Sequence, residues 1–252
     1  MNQDPPLITY FVSCFNEADA ICETLAKVAS FSKRSESRFE IVVFDDASTD
    51  RSVDTVQEYR KEHPELPIRQ FTRSRNRGLA HCFFESSFLA RGQYFRLVFG
   101  ADVLPESGHI ELVQNIGKAD IIIPDISSAT GGQLVRRILS RAYTRLVNMI
   151  SGCSIRYYNA GAIFRTDDVR RWSVEATGLG FQAELITRLI MEGRSYLQIE
   201  IAAARDERSS HALTFHNAMS VLFSLLKICL RRASRYIKRR SQPGVTREIP
   251  PP

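Results

Sequence analysis

The stretch FEIVVFDDASTDRSV, Phe39 to Val53, decides how the chain folds. An apolar run rich in β-branched and aromatic residues ends in two adjacent carboxylates, Asp45 and Asp46. A Ser, a Thr and a third carboxylate, Asp50, follow. The run's unbroken apolar part, Ile41 to Phe44, reads as a strand buried on both faces. DRSVDTVQEYRKEH then reads as a helix with Asp50 as its N-cap, a side-chain acceptor near free amides. Upstream, LITYFVSCF is a second such strand, and EADAICETLAKVASF carries Ile21, Leu25 and Val28 at helical spacing. Downstream the alternation continues through PIRQFT, GLAHCFFESSFLARG, QYFRLVFGAD, ESGHIELVQNIG and ADIIIPD. Strands alternating with helices predict βαβ units and an α/β fold, a mainly parallel sheet with helices on both faces.

Beyond Asp125 the pattern changes. GGQLVRRILSRAYTRLVNMISG predicts a long helix with Leu134, Ile138, Ala142, Leu146 and Met149 at its apolar positions. CSIRYYNAGAIFRTDDVRRW has weak periodicity. FQAELITRLIMEG predicts a helix, SYLQIEIAAA a strand, and TFHNAMSVLFSLLKICLRRASRYIKRR a long terminal helix. The first half reads as a nucleotide-binding half-sheet, the second as the part that receives another ligand.

The 252 residues suit one large domain, or one domain with an appendage. Five scattered cysteines without a CxxC predict free thiols in a reducing compartment. The opening MNQDPPLITY lacks the basic and apolar regions of a secretory signal, so none is expected. The net charge of +6 is uneven: Lys227 to Arg240 hold seven basic residues and no acid, and the remainder has 27 basic against 28 acidic residues. The basicity belongs to the tail, which argues against a nucleic-acid binder with a basic face on its fold.

In parallel α/β sheets ligands sit outside the carboxyl ends of the strands. Three polar groups fall at such ends: Asn16 with Glu17, Asp45 with Asp46, and Asp102. A pocket of acids repels a bare phosphate but suits a nucleobase edge, a ribose, or a divalent cation bridging to a diphosphate. GxGxxG and GxxxxGK[ST] are both absent, which argues against a dinucleotide-binding dehydrogenase or a P-loop kinase.

The order of VSCFNEADAICETL, IVVFDDASTDRSVD, RNRGLAHCFFESSFLARGQYFRLVFGAD and GFQAELITRL resembles family 2 glycosyltransferases of GT-A fold. The branch most similar is that of dolichol- and polyprenyl-phosphate sugar synthases, and the likeness runs from Leu7 to His211. It implies a Rossmann-like GT-A domain over residues 1–211, with a nucleotide-sugar half (7–124) and an acceptor half (125–211). Residues 212–252 form a basic, amphipathic C-terminal helix and tail.

By that resemblance Asn16, Glu17, Asp45, Asp46, Asn76, Arg77 and Gly78 lie against a UDP- or GDP-linked donor sugar. Asp46 accepts a hydrogen bond from the base. Asp102 matches the last acid of the family's DxD and would hold Mg²⁺ or Mn²⁺ on the diphosphate, as a Lewis acid for the leaving group. The first acid of that motif is Gly100 here, and a further ligand two residues after the last is Leu104, with Glu106 the nearest substitute.

On the acceptor side Gln182 and Glu184 match FQxE, with Glu184 as base or acceptor-positioning group. A hydroxyl acceptor needs a base, whereas a phosphate monoester is already ionised and needs cations. Arg137 and Ser140 match residues flanking the acceptor. Arg205 and Ser210 match R-x-x-G-x-S-K, where Arg208 and His211 replace the Gly and the Lys.

The expected activity is inverting transfer of a sugar to a polyprenyl-phosphate or lipid- or polysaccharide-linked acceptor in cell-envelope glycan synthesis. The expected location is cytoplasmic, peripheral on the inner face of the membrane. The terminal helix is too short in its uncharged part to span a bilayer. It suits either an anionic membrane surface or packing on the body. The rival readings are a catalytically impaired nucleotide-binding subunit, suggested by Gly100, and a sugar-nucleotide nucleotidyltransferase.

Overall fold

The computed structural model describes residues 5–99, 104–128, 134–172, 178, 180–202 and 223–234. The first half alternates as its sequence predicts. Strands β1 (Ile8–Cys14), β2 (Phe39–Asp45), β3 (Ile68–Thr72) and β4 (Tyr94–Val98) alternate with helices α1 (Ile21–Arg34), α2 (Ser52–Glu62) and α3 (Leu79–Leu89). Helix α4 (Glu106–Gln114) and strand β5 (Ile121–Asp125) follow. The second half supplies α5 (Leu134–Ser151), β6 (Ile163–Arg165), α6 (Thr166–Arg171), α7 (Phe181–Met191) and β7 (Tyr196–Glu200). Residues 223–234 are also helical and are called α8.

The sheet order is β3-β2-β1-β4-β6-β5-β7, parallel except for β6, which is antiparallel to both neighbours. That three-residue strand lies within the stretch of weak periodicity. It is too short to show a two-residue repeat, so only tertiary pairing defines it.

Alternating side chains feed two cores. Tyr10, Val12, Ile41 and Val43 pack with Leu25, Val28 and Leu112 from α1 and α4 on one face. Phe11, Phe44, Phe95 and Leu97 pack on the other with Phe83, Phe181, Val147 and Ile228 from α3, α7, α5 and α8. Phe83 is central there, its ring centroid 5.0–6.3 Å from those of Phe11, Phe84, Phe95, Phe164 and Phe181.

One local expectation changes. Asp50 is not the N-cap of α2, because Arg51 precedes the first helical residue. Asp50 instead accepts from the Ser52 amide and hydroxyl at 2.9 and 2.5 Å, and from the Ala18 amide at 3.1 Å, joining two loops. On α5, Ile138, Ala142, Leu146 and Met149 are exposed, while Val147 is buried.

Gly161 links the two halves. Its φ is +69°, and a Cβ there would lie 2.4 Å from the Leu97 carbonyl oxygen. Its amide donates to Gln182 Oε1 at 3.1 Å and its carbonyl accepts from Arg96 Nε at 3.1 Å. Gly161→Ala is expected to cost about 2 kcal/mol, from left-handed strain and displacement of the β4 backbone. Chemical denaturation of the two proteins checks this, and equal midpoints would contradict it.

Candidate active site

The strand ends form one rim. Cys14, Asp45 and Thr72 are level across β1, β2 and β3, and Val98 of β4 pairs with Val12. The three strands that precede the predicted acids, β2, β1 and β4, are therefore neighbours. Asp102 itself lies outside the described residues.

The first two loops on this rim are tied together. Ser48 Oγ accepts from the Asn16 amide at 2.9 Å, and Asn16 Oδ1 accepts from the Thr49 amide at 2.8 Å. Ser52 Oγ accepts from the Glu17 amide at 2.9 Å, and the Cys14 carbonyl accepts from the Asp46 amide at 2.9 Å. Asn16 and Ala47 have φ of 55° and 65°. Asn tolerates that region, but Ala there costs about 1 kcal/mol, a strain held in place by these bonds.

The two carboxylates have different surroundings. Asp45, 2% exposed, accepts through Oδ2 from the Ser48 amide at 3.1 Å and the Thr72 hydroxyl at 3.0 Å. Asp46, 4% exposed, accepts from the Arg77 amide at 3.0 Å through Oδ1 and from the Gly78 amide at 2.7 Å through Oδ2. The NRG segment is thus folded around Asp46. Gly78, at φ +86°, supplies the left-handed turn that presents those amides. Asn76 and the Arg77 side chain are exposed beside it.

Sequence reasoning missed Arg73. It lies 3.5 Å from Asp46 Oδ1, pairs with Glu85, and stands 4.8 Å over the Phe44 ring. The one sequence signal was its place directly after β3, beside a strand that ends in acids.

Burial, with Arg77 and Arg73 nearby, lowers the His81 pKa below its ordinary 6.5. The unfolded chain then binds more protons than the folded one below that pH, so stability falls as pH falls through the window beneath 6.5. His81→Gln is expected to flatten the melting-temperature profile there, and an unchanged slope would contradict it. Burial pushes the Cys14 and Cys82 thiols up to about 12, so neither supplies a thiolate at neutral pH.

The FQxE segment reaches the same rim through Gln182. Gln182, bonded to Gly161, sits beside the end of β4. Glu184, 4% exposed, lies 3.7 Å from Lys227 of α8, and Arg231 Nη1 donates to its carbonyl at 3.4 Å. Burial and then the Glu184 charge raise the Tyr143 pKa. The sequence did not point to Lys227 as a partner of Glu184, because the two are 43 positions apart. Arg137 and Ser140 are half-buried on α5, and Arg137 Nε is fully enclosed. Arg205 and Ser210 lie outside the described residues.

The described residues build no metal cage: none of them form a group of three His, Cys, Asp or Glu side chains about one point. Leu104 is 2% exposed, within the core. Glu106 does not substitute for it, because Ser30 and Arg34 bind its two oxygens at 2.7 and 3.0 Å on the α1 side. Asp102, the one carboxylate of that motif left to meet a metal, lies outside the described residues.

A depression of about 490 Å³ at the opposite end of the sheet, lined by Asp120, Arg165, Asp168 and Arg194, is remote from this rim. Its charges are paired with one another, Arg165 with Asp120 and Arg194 with Asp168.

Residues 9–171 match the family model described as glycosyl transferase family 2. Among curated proteins, a poly-beta-1,6-N-acetyl-D-glucosamine synthase of Staphylococcus epidermidis is 25% identical over 62% of this chain and 36% of its own length. A dolichyl N-acetyl-alpha-D-glucosaminyl phosphate 3-beta-D-2,3-diacetamido-2,3-dideoxy-beta-D-glucuronosyltransferase of Methanococcus voltae is 30% identical over 45% of this chain and 36% of its own length. The chain thus spans about a third of these relatives. Among solved structures, the mannosyltransferase PcManGT of Pyrobaculum calidifontis, in complex with GDP-Man and Mn²⁺, superposes with a TM-score of 0.64. It shares 18% identity over 91% of this chain and 65% of that one, a likeness of fold.

Proposed function

The chain belongs to glycosyl transferase family 2, with the GT-A fold, and on that premise we propose that it is an inverting transferase. Its donor is a UDP- or GDP-linked sugar, and its acceptor is a polyprenyl phosphate or another lipid- or polysaccharide-linked group. It serves cell-envelope glycan synthesis on the inner face of the cytoplasmic membrane. The observation that supports this reading is the adjacency of β2, β1 and β4, the strands that Asp46, Glu17 and Asp102 follow in sequence.

The donor's base and ribose lie against Glu17, Asp45 and Asp46, and the Asn76–Gly78 turn closes that end. Asp102 would hold the divalent ion, which would neutralise charge on the departing nucleoside diphosphate. The acceptor attacks the anomeric carbon from the side opposite that leaving group. Arg137, Arg205 and Ser210 hold its charge, with Lys227 and Arg231 from α8 nearby. Gln182 and Glu184 orient the acceptor. The salt bridge between Glu184 and Lys227 favours an ionised phosphate acceptor, which needs no proton removed. The names of the two curated relatives and the GDP-Man in PcManGT support the donor and acceptor classes.

Gly100 favours a second reading, a nucleotide-binding subunit with impaired catalysis. Incubation with labelled UDP- and GDP-sugars and polyprenyl phosphate, with and without Mn²⁺, separates the two. Label in the lipid extract is the expected result. Donor binding without transfer to any acceptor supports the second reading.

A further inference from the structure

We propose that the outward faces of α5 and α8 form one docking surface for an anionic lipid bilayer. This deepens the lipid-linked acceptor proposed above and rests on that reading for its purpose, although the surface is argued from its own geometry.

Seven of the nine large hydrophobic side chains exposed among the described residues lie on these two helices. On α5 they are Ile138, Leu139, Leu146 and Met149. On α8 they are Phe223, Leu226 and Leu230. Met149 is 70% exposed and Leu230 61%, while Val147 and Ile228 on the inner faces are fully buried. Each helix is therefore held by one face and leaves an apolar face outside.

The two faces adjoin. A Cβ on Gly180 would meet Ser224 Oγ at 2.3 Å and the Tyr143 hydroxyl at 3.6 Å, so the start of α8 passes beside the middle of α5. At the other end Arg232 Nη1 donates to the carbonyls of Met149 and Ile150 at 2.8 and 2.7 Å. The helices thus run side by side in the same direction for about two turns.

Charge selects the partner. Helices α5 and α8 carry seven basic residues and no acid. Arg141 and Arg145 are exposed beside the α5 apolar stripe. A second copy of the same face would set cations against cations. A nucleic acid has no use for the leucines and phenylalanine. Cations around apolar side chains suit anionic headgroups over an acyl layer. No helix among the described residues is long and apolar enough to cross a membrane, so the contact lies in the plane of the interface. In the sequence this role was offered for the terminal helix alone, beside packing on the body.

The test is flotation of the full chain with vesicles of phosphatidylcholine alone or with added phosphatidylglycerol, at low and high salt. The wild type is expected to float with the anionic vesicles only, and less at high salt. I138E/M149E on α5 and F223E/L226E on α8 are each expected to lower vesicle binding about tenfold or more. F88E, at an exposed position on α3, is expected to bind as the wild type does. Alkylation of the exposed Cys229 on α8 is expected to slow when anionic vesicles are added.

Several results would overturn the proposal. They are a wild type that stays soluble or floats equally with neutral vesicles, an α5 pair that binds undiminished, and a dimer that these substitutions dissociate without any lipid binding. Donor binding measured on the same variants keeps the outcomes separate. Variants that lose vesicles and keep donor support the surface. A wild type that binds vesicles but no sugar nucleotide leaves the surface standing and removes the transferase reading.

Discussion

Asp46→Ala is expected to cost about 3 kcal/mol of stability and to remove donor binding. The carboxylate is buried and accepts the amides of Arg77 and Gly78 through separate oxygens, with Arg73 close by. Truncation leaves both amides without that acceptor and removes the charge that Arg73 faces, changes worth about 1–3 kcal/mol for each orphaned group. The NRG turn then loses the anchor that shapes it. Asp46→Asn separates the two effects. It preserves the volume, but its amide nitrogen cannot accept, so one of the two bonds is lost. We expect Asp46→Asn to melt closer to the wild type than Asp46→Ala does and still to bind sugar nucleotide poorly. Calorimetric titration and thermal melting of the three proteins measure both quantities. Wild-type affinity in Asp46→Ala would exclude this carboxylate from the donor site.

Asp102→Ala has the larger effect on rate. On the proposed reading it carries the sole carboxylate that meets the donor's diphosphate, because Gly100 and Leu104 bear no ligand and Glu106 is held by Ser30 and Arg34. Removal of one group that stabilises charge on a departing diphosphate is expected to lower turnover on the order of 10²–10³-fold. The melting temperature should stay near that of the wild type, since the loss falls on the transition state. A steady-state assay with saturating donor and metal measures it. Unchanged turnover would remove Asp102 from the mechanism and favour the impaired-subunit reading.

The first half was legible because its signals are local. Ile41, Val42 and Val43 form a run that only a two-sided strand can bury, and the helices between strands carry ordinary apolar spacing. The strand ends then follow from the rule that parallel α/β sheets bind at their carboxyl edge.

The second half was less legible for two reasons. β6 pairs antiparallel to β4 and β5 over three residues, a pairing set by tertiary contact rather than by pattern. The α5 stripe at Ile138, Leu146 and Met149 has helical spacing but faces outward, and spacing alone does not distinguish a core from a docking face. In the candidate site, Asp46 was found as an acid at a strand end. Its partnership with Arg73 and with the NRG amides was not, because those groups lie 27 to 32 positions away and meet it only through the β2–β3 pairing. Lys227 against Glu184 was hidden for the same reason.

The central claim is that loops from neighbouring strand ends grip a sugar nucleotide. Isothermal titration of UDP- and GDP-linked sugars into the full chain, with and without Mn²⁺, tests it most directly. The account predicts saturable binding of at least one donor, one equivalent per chain, tightened by the metal and abolished in Asp46→Ala. Heats that never saturate for any donor, or binding that survives Asp46→Ala at full strength, would contradict it.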